Sequence, residues 1–126
     1  MSVIFTDKTE AAMREILLAA AQIVGETAVE TEADIKASMA EPKSGRVYNR
    51  RGRMHQASAR GEAPAIDTGV LVNSIKTESE ELAAEIGTNV EYAPILEVPL
   101  KRPAFQMAGE KAKTTFRRNA EKHRNL

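Results

Sequence analysis

Apolar residues in the first 40 positions recur at helical spacing. Met13, Ile16, Leu17, Ala20 and Val24 fall on one face, and the pattern resumes at Ala28, Ile35 and Met39 after weakening through Gly25. Asp7 with Glu10 three residues on makes a capping-box pattern at the start, and Pro42 marks the end. A single helix over about 7–40 would be on the order of 50 Å long at 1.5 Å per residue. That is long for so small a chain and implies packing along a sheet or a neighbouring subunit. Alternatively, Gly25 bends the helix or splits it in two.

The pattern then breaks. Residues 41–66 carry glycine at 45, 52 and 61 and proline at 42 and 64. Val47-Tyr48 and Met54-His55 read either as two arms of a ribbon reversing near Arg51-Gly52 or as parts of an irregular loop. Asp67-Thr68-Gly69 precedes "VLVNSI", where Asp67 or Thr68 is expected to cap a short helix to about Ser74, with Leu71 and Ile75 on one side. "KTESEELAAEIGTN" reads as a strand, a polar turn at Ser79–Glu81 and a second strand from Leu82 to Ile86, closed by a turn at Gly87-Thr88-Asn89. "VEYAPILEV", interrupted by Pro94, suits a short helix or an edge element, and Pro99 and Pro103 bracket a connector. A closing helix over about 104–123 shows Phe105, Ala108, Ala112 and Phe116 on one face and a strongly basic face opposite. The expected class is α+β: a long N-terminal helix packed on a small, mainly antiparallel sheet, with a short middle helix and a C-terminal helix.

Composition narrows this further. With 126 residues the chain reads as one domain, residues 1–126, carrying an extended basic loop or hairpin at about 41–66. Aromatics are only 4% of the residues against 42% hydrophobic, so the core should be aliphatic. The lack of cysteine excludes disulfides, thiolate nucleophiles and Cys-based metal sites. No apolar run approaches the roughly 20 residues that span a bilayer, and the N-terminus lacks a secretory pattern. A soluble, unexported protein with no membrane contact is therefore expected. The net charge of zero hides four blocks: −5 over residues 1–42, +6 over 43–60, −7 over 61–100 and +6 over 101–126. Such blocks suit head-to-tail contact between identical copies or neutralisation within one subunit.

Candidate chemistry is thin. His55, Ser58 and Asp67 are the residue types of a hydrolytic triad, but no G-x-S-x-G elbow accompanies them. His55 and Glu62 lack the helical spacing of a zinc motif. Gly61 and Gly69 in "GEAPAIDTG" are too far apart for a phosphate loop, no lysine follows, and Asp67 would repel a phosphate. No catalytic residue, metal ligand or cofactor is expected. The basic run Lys43, Arg46, Arg50, Arg51, Arg53 and Arg60, with Tyr48 among them, is the best candidate surface. It suits contact with a neighbouring protein through Lys43, Arg46, Tyr48, Arg50, Arg51 and Arg53. Alternatively it marks a small nucleic-acid-binding protein whose loop 43–60 meets phosphates.

Three stretches in order carry a resemblance: "SGRVYNRRGRMHQASARGEAPAIDTGVLVNSI", "AAEIGTNVEYAPILE" and "RPAF". From about Ser44 to Gly109 the chain resembles the small neck, or head–tail connector, proteins of long-tailed bacteriophages, which include minor tail and tail-completion components. The matching positions are Gly61, Pro64, Asp67, Thr68 and Gly69 in the loop, and Leu71, Ser74 and Ile75 in the short helix. Gly87, Thr88, Asn89, Tyr92 and Ala93 match the turn and the segment after it, and Glu97, Arg102, Pro103 and Phe105 the closing motif. The resemblance implies a non-enzymatic virion protein, placed in the neck or tail and assembled in the host cytoplasm. It would form a ring between head and tail, a hexamer ahead of a dodecamer, with DNA passing through the lumen. Its partners would be a head-completion, stopper or portal-side ring and a tail-terminator or tail-tube protein. One departure stands out: relatives commonly continue from the glutamate into a glycine-threonine pair, whereas Glu97 here precedes Val98-Pro99-Leu100.

Overall fold

The computed structural model describes residues 6–124. Helix α1 (Thr6–Ala40) runs unbroken through Gly25. Its helix-forming Ala, Leu and Glu residues outweigh the cost of one glycine, about 1 kcal/mol relative to alanine. The helix already includes Thr6, and the expected Asp7 cap lies outside the residues whose side chains are described. At its other end the Glu41 amide bonds the Ala37 carbonyl, Pro42 offers no donor, and Lys43 Nζ donates to the Ser38 carbonyl at 2.6 Å.

Two antiparallel hairpins follow, separated by a short helix: β1 (Val47–Arg50) with β2 (Arg53–Gln56), then α2 (Val70–Ser74), then β3 (Lys76–Ser79) with β4 (Ala84–Gly87). Helix α3 (Ala93–Glu97), with Pro94 in its first turn, leads through a connector to α4 (Ala104–Arg124). The α+β class and order of elements are as expected, with one difference: the strands form two separate two-stranded sheets. Helix α1 packs on β3, β4 and, most extensively, α4.

The core is small and aliphatic. Ile35 and Met39 of α1 meet Ala63, Ile75, Ala104 and Ala108, with Leu71, Val72, Ile86 and Phe105 around them. Burying a side chain such as Ile35 or Ile75 contributes roughly 1.5–3 kcal/mol. The face expected for α4 is rotated. Ala104, Ala108, Thr115 and Asn119 are buried against α1, whereas Phe116 is 45% exposed. Small residues let the two helices approach closely, and Phe105 and Phe116 line an apolar groove with Val24, Ile35 and Ile86 at its side. Likewise only the second half of the apolar face of α1 is covered; Met13, Ile16 and Leu17 stand exposed.

Helices α1 and α4 run antiparallel, because Lys111 pairs with Asp34 at 3.2 Å, Arg118 with Glu30, and His123 with Glu26 at 3.5 Å. Asn119 Nδ2 also donates to Thr27 Oγ1 at 3.2 Å. Part of the first acidic block is thus met by the last basic block inside one subunit.

Candidate functional site

The basic segment is a formed hairpin. Val47 pairs with Gln56, Tyr48 with His55, Asn49 with Met54 and Arg50 with Arg53. The reversal is a two-residue turn in which Arg51 (φ 55°) and Gly52 (φ 81°) are both left-handed, the geometry whose twist matches that of antiparallel strands. Asn49 Oδ1 accepts the Gly52 amide at 3.0 Å and fixes it. Directly paired residues share a face. Tyr48, Arg50, Arg53 and His55 therefore lie on one side, and Val47, Asn49, Met54 and Gln56 on the other. The ribbon extends below its strands through Gly45 N to Ala57 O and Ala57 N to Arg46 O, both 2.9 Å. Gly45 is required there, because a Cβ would sit 2.4 Å from the Ala57 carbonyl oxygen.

Three anchors hold the hairpin to the body. Asp67 is the first. Its Oδ2 lies 2.6 Å from Arg50 Nη2 and its Oδ1 3.9 Å from Arg53 Nη2, which also donates to the Asp67 carbonyl at 3.2 Å. This corrects the expected helix cap. The N-cap of α2 is Gly69, left-handed at φ 86°, with no side-chain cap bond; Thr68 Oγ1 lies a long 3.5 Å from the Val70 amide. The two cations hold the carboxylate more favourably than the open end of a five-residue helix would.

Glu62 is the second anchor. Its carboxylate accepts the Ala59 amide at 2.6 Å, the Ser44 amide at 3.1 Å and the Ser44 hydroxyl at 3.0 Å, which ties the two legs of the hairpin together. These bonds favour the ionised form, so the Glu62 pKa lies below its ordinary value; the Ala59 amide has the largest effect, and nearby Lys43 adds to it. Arg102 is the third. Its Nε donates to the Ser58 carbonyl at 3.2 Å and hydroxyl at 3.0 Å, its Nη1 to the Leu100 carbonyl, while the Gly61 amide bonds the Lys101 carbonyl at 2.8 Å. Sequence reading missed the role of Glu62. The recognisable signal was its place three residues after Ala59 in a loop, where a carboxylate reaches back to a free amide.

The other resemblance positions are joints of the same framework. Pro64, Ile75 and Ala93 are buried and Leu71 packs on the core. The Ser74 and Thr88 hydroxyls lie 2.5 Å apart, and Thr88 Oγ1 accepts the Val90 amide at 3.1 Å. Gly87 pairs with Lys76 at the end of β4, with Asn89 beside it at the edge of a polar hollow. Glu97 accepts the amides of Phe105 and Gln106, both at 3.0 Å, so its charge sits at the positive end of α4, just after Pro103. Where the sequence departs at Val98-Pro99-Leu100, the chain turns through Lys101 at φ 54°, with Leu100 N bonded to Ile95 O and Arg102 N to Leu96 O.

Of the six loop cations, Arg50 and Arg53 bind Asp67, Lys43 caps α1, and the Arg46 guanidinium lies 5.5 Å from the Tyr48 ring centroid. Arg51 and Arg60 have no ion-pair partner among the described residues. The charge open to an external partner is therefore smaller than the sequence counts. His55, Ser58 and Asp67 do line one hollow of about 390 Å³ with Met39, Tyr92 and Leu96. Asp67, however, faces the arginines and Ser58 Oγ accepts from Arg102, and no hydrogen bond joins the three. Among the described residues no three His, Asp or Glu side chains gather as metal ligands, and no helix is long and apolar enough to cross a membrane. No protein-family model, curated protein or solved structure matches the chain.

Proposed function

We propose that the chain is a structural subunit of a phage neck, forming a ring that joins the DNA-filled head to the tail, with the arginine hairpin as a contact to a neighbouring subunit or adjoining ring. The observation that carries this reading is the framework around the hairpin. Asp67, Gly61, Glu97 and Arg102, all positions of the resemblance, are spent on fixing the hairpin and the connector beside it. These contacts hold out a ribbon whose own strands are exposed, an arrangement suited to presenting a surface. The uncovered first half of α1 gives a second surface of the same kind. Ring size follows the earlier expectation, a hexamer ahead of a dodecamer.

The test is genetic. Deleting the gene from the phage that carries it is expected to leave filled heads and finished tails unjoined, seen by electron microscopy, with joining restored by the wild-type chain. Replacing residues 46–57 by a short glycine linker should fail to restore it. Normal tailed particles in the deletion would overturn the reading. The nucleic-acid alternative draws on Arg46 stacked over Tyr48, but Asp67 takes two of its arginines. Duplex affinity that falls steeply with salt would favour it instead.

A further inference from the structure

We infer that the β3–β4 hairpin of one copy is the seat for the β1–β2 hairpin of the next, the two lying side by side with their turns together. The inference rests on the reading of the chain as a ring subunit, and it names the surface that joins the copies.

Both sheets have only two strands, so each leaves outward backbone N–H and C=O groups without a strand partner among the described residues. All four strands are four residues long. The two hairpins also share an electrostatic fault of opposite sign. Arg50 stands directly opposite Arg53, and Glu78 directly opposite Glu85. Like charges so placed are destabilising. In the basic hairpin Asp67 relieves the pair. In the acidic hairpin no ion pair or side-chain hydrogen bond reaches Glu78 or Glu85 among the described residues, nor Glu80 and Glu81 at the turn. The chain thus shows its arginine hairpin holding a carboxylate, and separately presents Glu78 and Glu85, which form no ion pair among the described residues although Lys76 lies on the same face.

Repulsion selects the pairing. Basic on basic and acidic on acidic each place like charges side by side, so only basic on acidic is favourable. Such a contact uses two different patches and is heterologous. Made in one direction and repeated, it closes into a ring or runs on as a filament, whereas a reciprocal exchange between two copies would stop at a two-fold dimer. Arg46 and Arg51, which bind no carboxylate of their own copy among the described residues, are the cations left for the neighbour.

The experiment uses the purified full chain in sedimentation velocity over a range of concentration and salt. The wild type is expected to associate at low salt and to dissociate as salt rises. R46E/R51E and E78K/E85K, with helix content checked by circular dichroism, should each weaken association by about tenfold or more. The chain carrying all four reversals should recover it. If a variant loses helix content, the salt dependence of the wild type decides. A wild type monomeric at every concentration, association insensitive to salt or to either reversal, or failure of the fourfold variant to recover would overturn the pairing. Normal head–tail joining by E78K/E85K would also overturn it while leaving the neck reading intact.

Discussion

The two hairpins have the same strand length and antiparallel order, yet they are held in place by different physics. The β3–β4 hairpin lies on the body through its face: Ile86 packs at the core, Ile75 just before β3 is 1% exposed, and Thr77 Oγ1 donates to Glu32 of α1 at 3.0 Å. The β1–β2 hairpin has no core of its own; Val47 and Met54 are 50% and 67% exposed. It is positioned by polar contacts at its root and one carboxylate on its arginine face. An isolated two-stranded hairpin is marginal in water, so a face against a helix and a ring of hydrogen bonds are two ways to make one persist. Burial gives stability that salt and pH barely touch. Polar anchoring leaves the Val47–Met54 face open for a partner and ties the element to charge.

Four substitutions or conditions sharpen that contrast. The largest effect is expected for Ile75→Ala, about 2–5 kcal/mol of unfolding free energy by urea titration, whereas Val47→Ala in the other hairpin should stay within about 0.5 kcal/mol. Equal losses would show that both hairpins rest on the core. Next comes Gly45→Ala, whose Cβ meets the Ala57 and Ser58 carbonyl oxygens at 2.4 and 2.6 Å. Forcing them apart should cost roughly 1–3 kcal/mol and speed amide exchange in residues 45–57 while residues 76–87 remain protected.

The third concerns acid. The Glu62 pKa is lowered on folding, so its contribution is present above the unfolded value and fades as pH falls through the folded one. Exchange at the Ala59 and Ser44 amides should therefore rise below the usual carboxylate range, and Glu62→Gln should show raised exchange at neutral pH without that acid step. The smallest effect, with opposite sign, belongs to Glu85→Lys, which converts a repelling cross-strand pair into an attracting one. A gain of about 0.2–1 kcal/mol is expected in thermal unfolding; a loss would mean that Glu85 has a partner within its own copy.

Much of this fold was legible in the chain. The spacing of Ala28, Ile35 and Met39 marks α1 and Pro42 ends it, because period and turn chemistry are local properties. The first reversal falls at Arg51-Gly52, as one of the two open readings of that segment has it, and the second at residues 80–83, against an expected turn at Ser79–Glu81 and strand from Leu82. The buried face of α4 was legible only in part, in Ala108 and the partly buried Phe105. Periodicity pointed to Phe105, Ala108, Ala112 and Phe116, but close helix contact favoured Ala104, Thr115 and Asn119. Nor was the candidate site complete in sequence. The basic run announced a charged surface, but which cations remain for a partner depends on Asp67, fourteen to seventeen residues away, and on the Ser38 carbonyl.

By itself, then, the sequence determined the two long helices, the short helix after Gly69, an aliphatic core and the segregation of charge, since each follows from composition or from neighbours along the chain. Only the tertiary structure decided how those charges are used. It set Glu30 and Asp34 against the basic face of α4, turned Asp67 from an expected helix cap into the counter-ion of two arginines, and left Glu78 opposite Glu85 with no ion pair among the described residues. An ion pair is fixed by distance in space, and folding sets that distance for residues that lie far apart in the chain.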